Sequence, residues 1–107
     1  YAMMQAAIEA GATKLDAFDT YLPSIYKTVG FRPVARIKWD DSQMPEGWDK
    51  KVFEDFNNGE PDVVWFAYDP DYYGENIKVP YVTDWDDGVA IQNAKVRTFQ
   101  KKIKKGR

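Results

Sequence analysis

Apolar and polar positions follow their clearest pattern through residues 15–37. Leu15, Ala17 and Phe18 open the stretch as a short strand, and the chain turns at Asp19-Thr20. Leu22, Ile25, Tyr26 and Val29 then recur at helical spacing, which predicts about two helical turns ending at Gly30. Pro23 fits the first turn, where a missing N–H costs nothing. Phe31, Val34, Ala35 and Ile37 resume an extended pattern with Arg32, Arg36 and Lys38 interleaved. The unit therefore reads strand, helix, strand. Gly30, just past the last periodic position, supplies the left-handed cap that lets the helix reverse, and Phe31 is expected to pack back on it.

The flanks complete the pattern. Residues 1–10 read as helix, with Met4, Ala7 and Ile8 on one stripe and Gly11 as the stop; residues 13–18 and 31–39 are the first two strands. Residues 40–48 are turn-rich, residues 49–56 are expected to form one to two helical turns with Val52, Phe53 and Phe56 inward, and Asn57-Asn58-Gly59-Glu60-Pro61 breaks the chain. Residues 62–68 form the strongest strand. Val63 to Tyr68 is a near-continuous apolar run, which predicts a strand covered on both faces and paired antiparallel with residues 31–39 across a long loop. Pro80 confines the extended residues 77–82 to a sheet edge or to no sheet.

A last helix starts at Thr83 or Asp84. Asp84, Asp86 and Asp87 complement its positive end, Val89, Val96, Phe99 and Ile103 fall at helical spacing, and Lys101, Lys102, Lys104 and Lys105 sit where cations are favoured. The predicted fold class is α+β: helix, strand, helix, strand, strand with a long antiparallel hairpin and a C-terminal helix. Residues 1–82 make the core unit. Residues 83–107 make an amphipathic basic helix that docks either on that core or on a neighbouring chain.

Composition narrows the chemistry. A chain of 107 residues is one domain by size, and its seventeen Phe, Trp and Tyr residues argue for a packed protein through about residue 82. It has no cysteine and no histidine, which removes disulfides, thiolate metal sites and the commonest general base. Any catalysis must use carboxylates, Tyr, Lys or backbone groups. No apolar run suggests a signal peptide or membrane span, so a cytoplasmic or virion-associated protein without a membrane partner is expected. The first residue is Tyr1 rather than Met, which suggests that an N-terminal part lies upstream. Charge is segregated: residues 40–87 hold three basic and fourteen acidic side chains, whereas residues 88–107 hold seven basic and none acidic. Such halves more often neutralise each other than meet outside partners.

Ile25-Tyr26-Lys27-Thr28-Val29-Gly30-Phe31, followed by Arg32-Pro33-Val34-Ala35-Arg36, resembles the C-terminal half of the GNAT family of N-acetyltransferases. There a strand is followed by a short helix carrying Ile/Leu-Tyr, then Gly-Phe, then an antiparallel strand pair. Residues 6–12 are similar to the end of that family's central helix. The resemblance spans roughly the first forty residues and extends to the strand at 63–68. It implies a partial GNAT-like fold and, in an intact parent, direct acetyl transfer from acetyl-CoA to an amine. Tyr26 would be the general acid that protonates the departing thiolate, and Asp16 would be a polar substrate contact. The family's Arg/Gln-x-x-Gly-x-Gly/Ala pyrophosphate loop is not found in this sequence. No cofactor-binding residue is therefore assigned, and acetyl-CoA is the expected cofactor only if the domain is catalytic. The other class of function is a non-catalytic GNAT-derived binding or structural module. Gly30 to Arg36 and Pro61 to Asp69 resemble pieces of large phage or mobile-element proteins, so the expected partner is another protein or the domain's own upstream region.

Each candidate has a plainer reading. Tyr26 is otherwise a helix aromatic packing its ring. Asp19-Thr20 reads as a helix N-cap pair, whereas Asp16, a carboxylate in an apolar strand, needs a partner that Lys14, Arg32 or Arg36 would supply. Residues 69–75 place Gly74 as a calcium loop would, but Tyr73 and Pro80 stand where ligands belong, so a turn is expected and no metal site is assigned. The stretch from Lys95 to Arg107 offers charge for nucleic-acid phosphates, yet a solvated helix end explains it better. Trp39, Trp48, Trp65 and Trp85 are assigned to the core or an interface.

Overall fold

A computed structural model describes residues 13–105, with side chains described through residue 102. The expected helix over residues 1–10 and the side chain of Ile103 lie outside them. The fold is α+β: a four-stranded mixed sheet and two helices. Strands β1 (Lys14–Phe18), β2 (Phe31–Ile37), β3 (Val63–Tyr68) and β4 (Tyr81–Val82) lie in the order β1-β3-β2-β4. Helix α1 (Leu22–Thr28) connects the first two strands, and helix α2 (Trp85–Lys105) follows the last. β3 runs antiparallel to both neighbours, and β4 joins the outer edge parallel to β2. Pro80 thus ends at an edge as the sequence requires, its carbonyl accepting from the Arg36 amide at 3.0 Å.

β3 explains the layering. Successive strand side chains point to opposite faces, so Val64 and Phe66 go one way and Trp65 and Ala67 the other. Phe66 and Val64 form one core with Phe31, Leu15, Ala17, Tyr26 and Val29, under α1. Trp65 and Ala67 form the other with Val34, Ala35, Val89, Val96 and Phe99, under α2. The C-terminal helix therefore docks on this sheet. The continuous apolar run is the signature of these two covers.

Two backbone features make the arrangement fit. Gly30 takes φ +95° after the last turn of α1, its amide donating to the Lys27 carbonyl at 3.2 Å, and Phe31 enters the core fully buried. Gly88 is buried in α2, and a Cβ there would stand 2.3 Å from the Trp65 ring. The helix can lie this close to the sheet only because that position has no side chain.

In β2 the register shifts between Pro33 and Ala35, leaving Val34 as the extra residue of a bulge. The bulge puts both Val34 and Ala35 under α2 and sends Arg36 to the opposite face. It also accommodates Pro33, which has no N–H to give to a ladder.

Buried Asp69, just beyond β3, ties the far end of α2 down. Its carboxylate accepts from Lys102 Nζ at 3.0 Å, Arg32 Nη1 at 3.2 Å and the Asp71 amide at 2.9 Å. Burial would push its carboxyl up, but these three donors outweigh it and hold the group below the usual aspartate range. The segment read as a failed calcium loop thus carries an ion-pair anchor.

Two expectations are corrected. Residues 49–56 are a succession of turns rather than a helix, with 3₁₀-type bonds such as Phe56 N–H to Phe53 O at 2.9 Å, and Val52 is 70% exposed. The cause is local: the Asp49 carboxylate takes the Lys51 amide at 2.9 Å, and Trp48 stacks on Phe53 at 4.3 Å. Nor does Asp19 cap α1. Tyr21 stands at the cap position without a side-chain bond, because the Asp19 carboxylate is drawn to Arg36 Nη2 at 2.6 Å.

Gly88→Ala should lower stability by about 2 kcal/mol in denaturant titration, although alanine is the better helix former, because overpacking against Trp65 outweighs roughly 1 kcal/mol of propensity. A neutral or stabilised variant would show that helix and sheet are further apart. Asp69 supplies stability that is complete above the ordinary aspartate value of about 3.9 and is lost as pH falls through its depressed folded value. Asp69→Asn should therefore cost about 2 kcal/mol at neutral pH and flatten the acid limb of the stability profile. An unchanged acid limb would remove Asp69 from this role.

Candidate functional site

The residues singled out from the sequence are separated by the sheet. Tyr26 sits on α1, and its ring meets Phe66 edge-on at 5.7 Å within the core on that face. Asp16 pairs in register with Trp65, whose side chain faces α2, and lies on the α2 side. It is exposed, and no salt bridge reaches it among the described residues: Lys14 is taken by Asn93 at 2.8 Å, Arg32 by Asp69 and Arg36 by Asp19 and Asp62. The three cations expected to neutralise it all have other partners.

Asp16 instead opens onto a cleft of about 580 Å³. Ile37 and Val63 supply apolar surface; Phe18, Trp39 and Trp85 supply aromatic surface; Asp16, Asp40 and Asp84 supply carboxylates; Ala17, whose side chain belongs to the core under α1, lines the cleft between Asp16 and Phe18 along β1. The elements explain the convergence. β1 and β2 deliver Asp16, Phe18 and Ile37 towards one end of the sheet, the loop after β2 brings Trp39 and Asp40, and the start of α2 brings Asp84 and Trp85.

The loop wall is held by a cluster of tilted aromatic rings. Phe18 lies 5.6 Å from Trp39 and 4.8 Å from Trp48, and Trp48 in turn donates its indole N–H to the Gly59 carbonyl at 2.9 Å. Asp40 accepts from the Ser42 hydroxyl and amide at 2.7 and 2.9 Å, which lowers its pKa. Lys50, between Asp41 and Glu60 at 2.8 and 2.9 Å, has its own raised. On the helix side, Asp84 caps α2 by accepting from the Asp86 amide at 3.2 Å, and the Trp85 ring rests on Trp65 at 4.8 Å. Trp85 still leaves 46% of its surface to solvent.

A second, polar depression lies around Arg36. The guanidinium joins Asp62 at 2.9 Å and Asp19 at 2.6 Å and stands 5.1 Å over the Tyr81 ring. The Tyr81 hydroxyl donates to Asp62, which raises the phenol's pKa and keeps it protonated. Each charged group at the centre of this cluster has a salt-bridge partner, two carboxylates sharing one guanidinium. Its chemistry is that of a staple across all four strands.

An acetyl-CoA pyrophosphate finds no fitting cradle among the described residues. α1 is seven residues long with Pro in its first turn, and the N-terminal turn of α2 carries Asp86 and Asp87, which repel an anion. Among the described residues no group of three or more His, Cys, Asp or Glu side chains is placed to hold a metal, and no helix is long and apolar enough to cross a membrane. In the basic helix, Lys102 is committed to Asp69 while Lys95, Arg97 and Lys101 are exposed.

The cleft's aromatic wall escaped the sequence reading, which assigned the tryptophans to core or interface. Trp65 is core, and Trp48 holds the loop, but Trp39 and Trp85 line open space. The available signal was the repeated Trp-Asp dipeptide at Trp39-Asp40, Trp48-Asp49 and Trp85-Asp86, an aromatic face beside a carboxylate. No family model matches this sequence, and no match was found among curated proteins or solved structures.

Proposed function

We propose that this domain is a non-catalytic binding module built on a GNAT-like strand, helix, strand scaffold, and that it acts through the cleft at the start of α2. One observation carries this reading: Tyr26 and the cleft lie on opposite faces of the sheet. A general acid must come within hydrogen-bond reach of the atom it protonates. A ligand held between Asp16 and Trp85 is screened from Tyr26 by β3 itself. The Tyr26 ring, packed against Phe66, has a sufficient structural role.

The kinship with the family is supported by the helical Tyr26, the left-handed Gly30, the buried Phe31 and the antiparallel strands that follow. These are scaffold features and do not carry the family's reaction with them. The acidic first turn of α2 argues in the same direction, since it disfavours the cofactor's phosphates.

Calorimetry with acetyl-CoA tests the choice. The module reading predicts no saturable heat at millimolar ligand, and it predicts that Tyr26→Phe changes stability by less than about 1 kcal/mol, as expected for loss of a hydroxyl from a packed ring. Saturable binding of acetyl-CoA, with transfer to an amine that Tyr26→Phe abolishes, would establish the acyltransferase instead.

A further inference from the structure

We propose that the cleft binds an organic cation, an alkylammonium or quaternary ammonium group, held between the Trp39 and Trp85 rings and the carboxylates of Asp16, Asp40 and Asp84. The inference rests on the module reading and names its ligand class.

Two features of the cleft converge on positive charge, and a third on a ligand that covers apolar surface. Aromatic rings carry a negative face that attracts cations, most strongly in tryptophan, and two tryptophans and Phe18 line this cavity. Trp85 is nearly half exposed although its neighbour Trp65 is fully enclosed, so a ligand would cover apolar surface that the fold leaves wet. The carboxylates are of a particular kind as well. Asp19, Asp41 and Asp62 nearby are each salt-bridged, whereas no salt bridge among the described residues reaches Asp16, Asp40 or Asp84. Asp40 and Asp84 spend part of their accepting capacity on Ser42 and on the Asp86 amide, bonds that fix their position and leave their charge in place.

The cleft's own cation does not fill this role. Lys38 contributes to its lining, but its ammonium lies 5.8 Å from the Tyr81 ring centroid, towards the polar depression that it also lines. The basic end of α2 is also remote. Lys102 lies seventeen residues along the helix from Trp85, about 25 Å at 1.5 Å per residue, and is anchored to Asp69. Lys50 stands 6.0 Å from the Trp39 ring centroid, but its ammonium is held by Asp41 and Glu60 and the residue does not line the cleft. The ligand is therefore external, and a cavity of about 580 Å³ is of small-molecule or single side-chain size.

Choline and its uncharged isostere 3,3-dimethyl-1-butanol provide the test, followed through the four tryptophan indole N–H signals in ¹H–¹⁵N spectra. Choline should shift the Trp39 and Trp85 signals saturably and bind roughly tenfold tighter than the isostere. Added salt should weaken it, and Asp16→Asn, at an exposed strand position, should weaken it severalfold with the spectrum otherwise folded. A trimethyllysine amide in parallel distinguishes a side chain from a free cation as the source; tighter binding of either supports the proposal. Equal binding of choline and the isostere would overturn the cation while leaving a working apolar cleft. No shift with either would overturn both the ligand class and the cleft as the binding site.

Discussion

Strand β3 must be kept dry on both faces, and the rest of the structure follows from that requirement. Trp65 and Phe66 are adjacent in sequence and almost fully buried, yet they point in opposite directions. Truncating a buried ring of this kind costs about 3 to 5 kcal/mol, a large part of the stability of an average domain. One cover does not suffice. α1 and Phe31 close over Phe66, and α2 closes over Trp65. The central place of β3 follows too, since a strand at the edge would leave a row of unpaired backbone groups beside its most apolar side chains.

Charge fastens the strands at one end of the sheet and the helix α2 at the other. Arg36 gathers Asp19, Asp62 and the Tyr81 ring where β1 ends and β3 begins, and Asp69 gathers Arg32 and Lys102 where β3 ends. Their placement on different faces depends on the Val34 bulge. It turns Arg36 away from Arg32, so two arginines of one strand serve different faces. The site is a by-product of the same geometry. α2 approaches the sheet closely at Gly88, and the residues at its start, Asp84 and Trp85, form one wall of the cleft while the loop after β2 supplies another.

Much of this was legible in the residues. The turn from α1 into β2 was specified by Gly30 and Phe31, the double cover of β3 by an unbroken apolar run, and the start of α2 by three aspartates. The bulge was harder to see. Its trace is that Val34 and Ala35 are both apolar in a strand that otherwise alternates, beside a proline. Residues 49–56 misled because Val52, Phe53 and Phe56 fall at helical spacing, while two local contacts, the Asp49 carboxylate on the Lys51 amide and Trp48 stacked on Phe53, compete with the helix. Asp19 misled for a related reason. A local capping rule competed with an arginine seventeen positions away, and the charge-assisted bond won. The cleft draws on β1, β2, the loop after β2 and the start of α2, so no contiguous stretch of sequence could display it.

Native-state hydrogen exchange bears most directly on the central claim that β3 and α2 form one cooperative unit. The amides of Trp65, Phe66 and Ala67 and those of the middle of α2 should exchange only through global unfolding, with the same opening free energy and the same denaturant dependence. Exchange of the α2 amides through a separate, lower-energy opening while β3 stays protected would contradict it, because Trp65 would then remain stable without the helix that covers it.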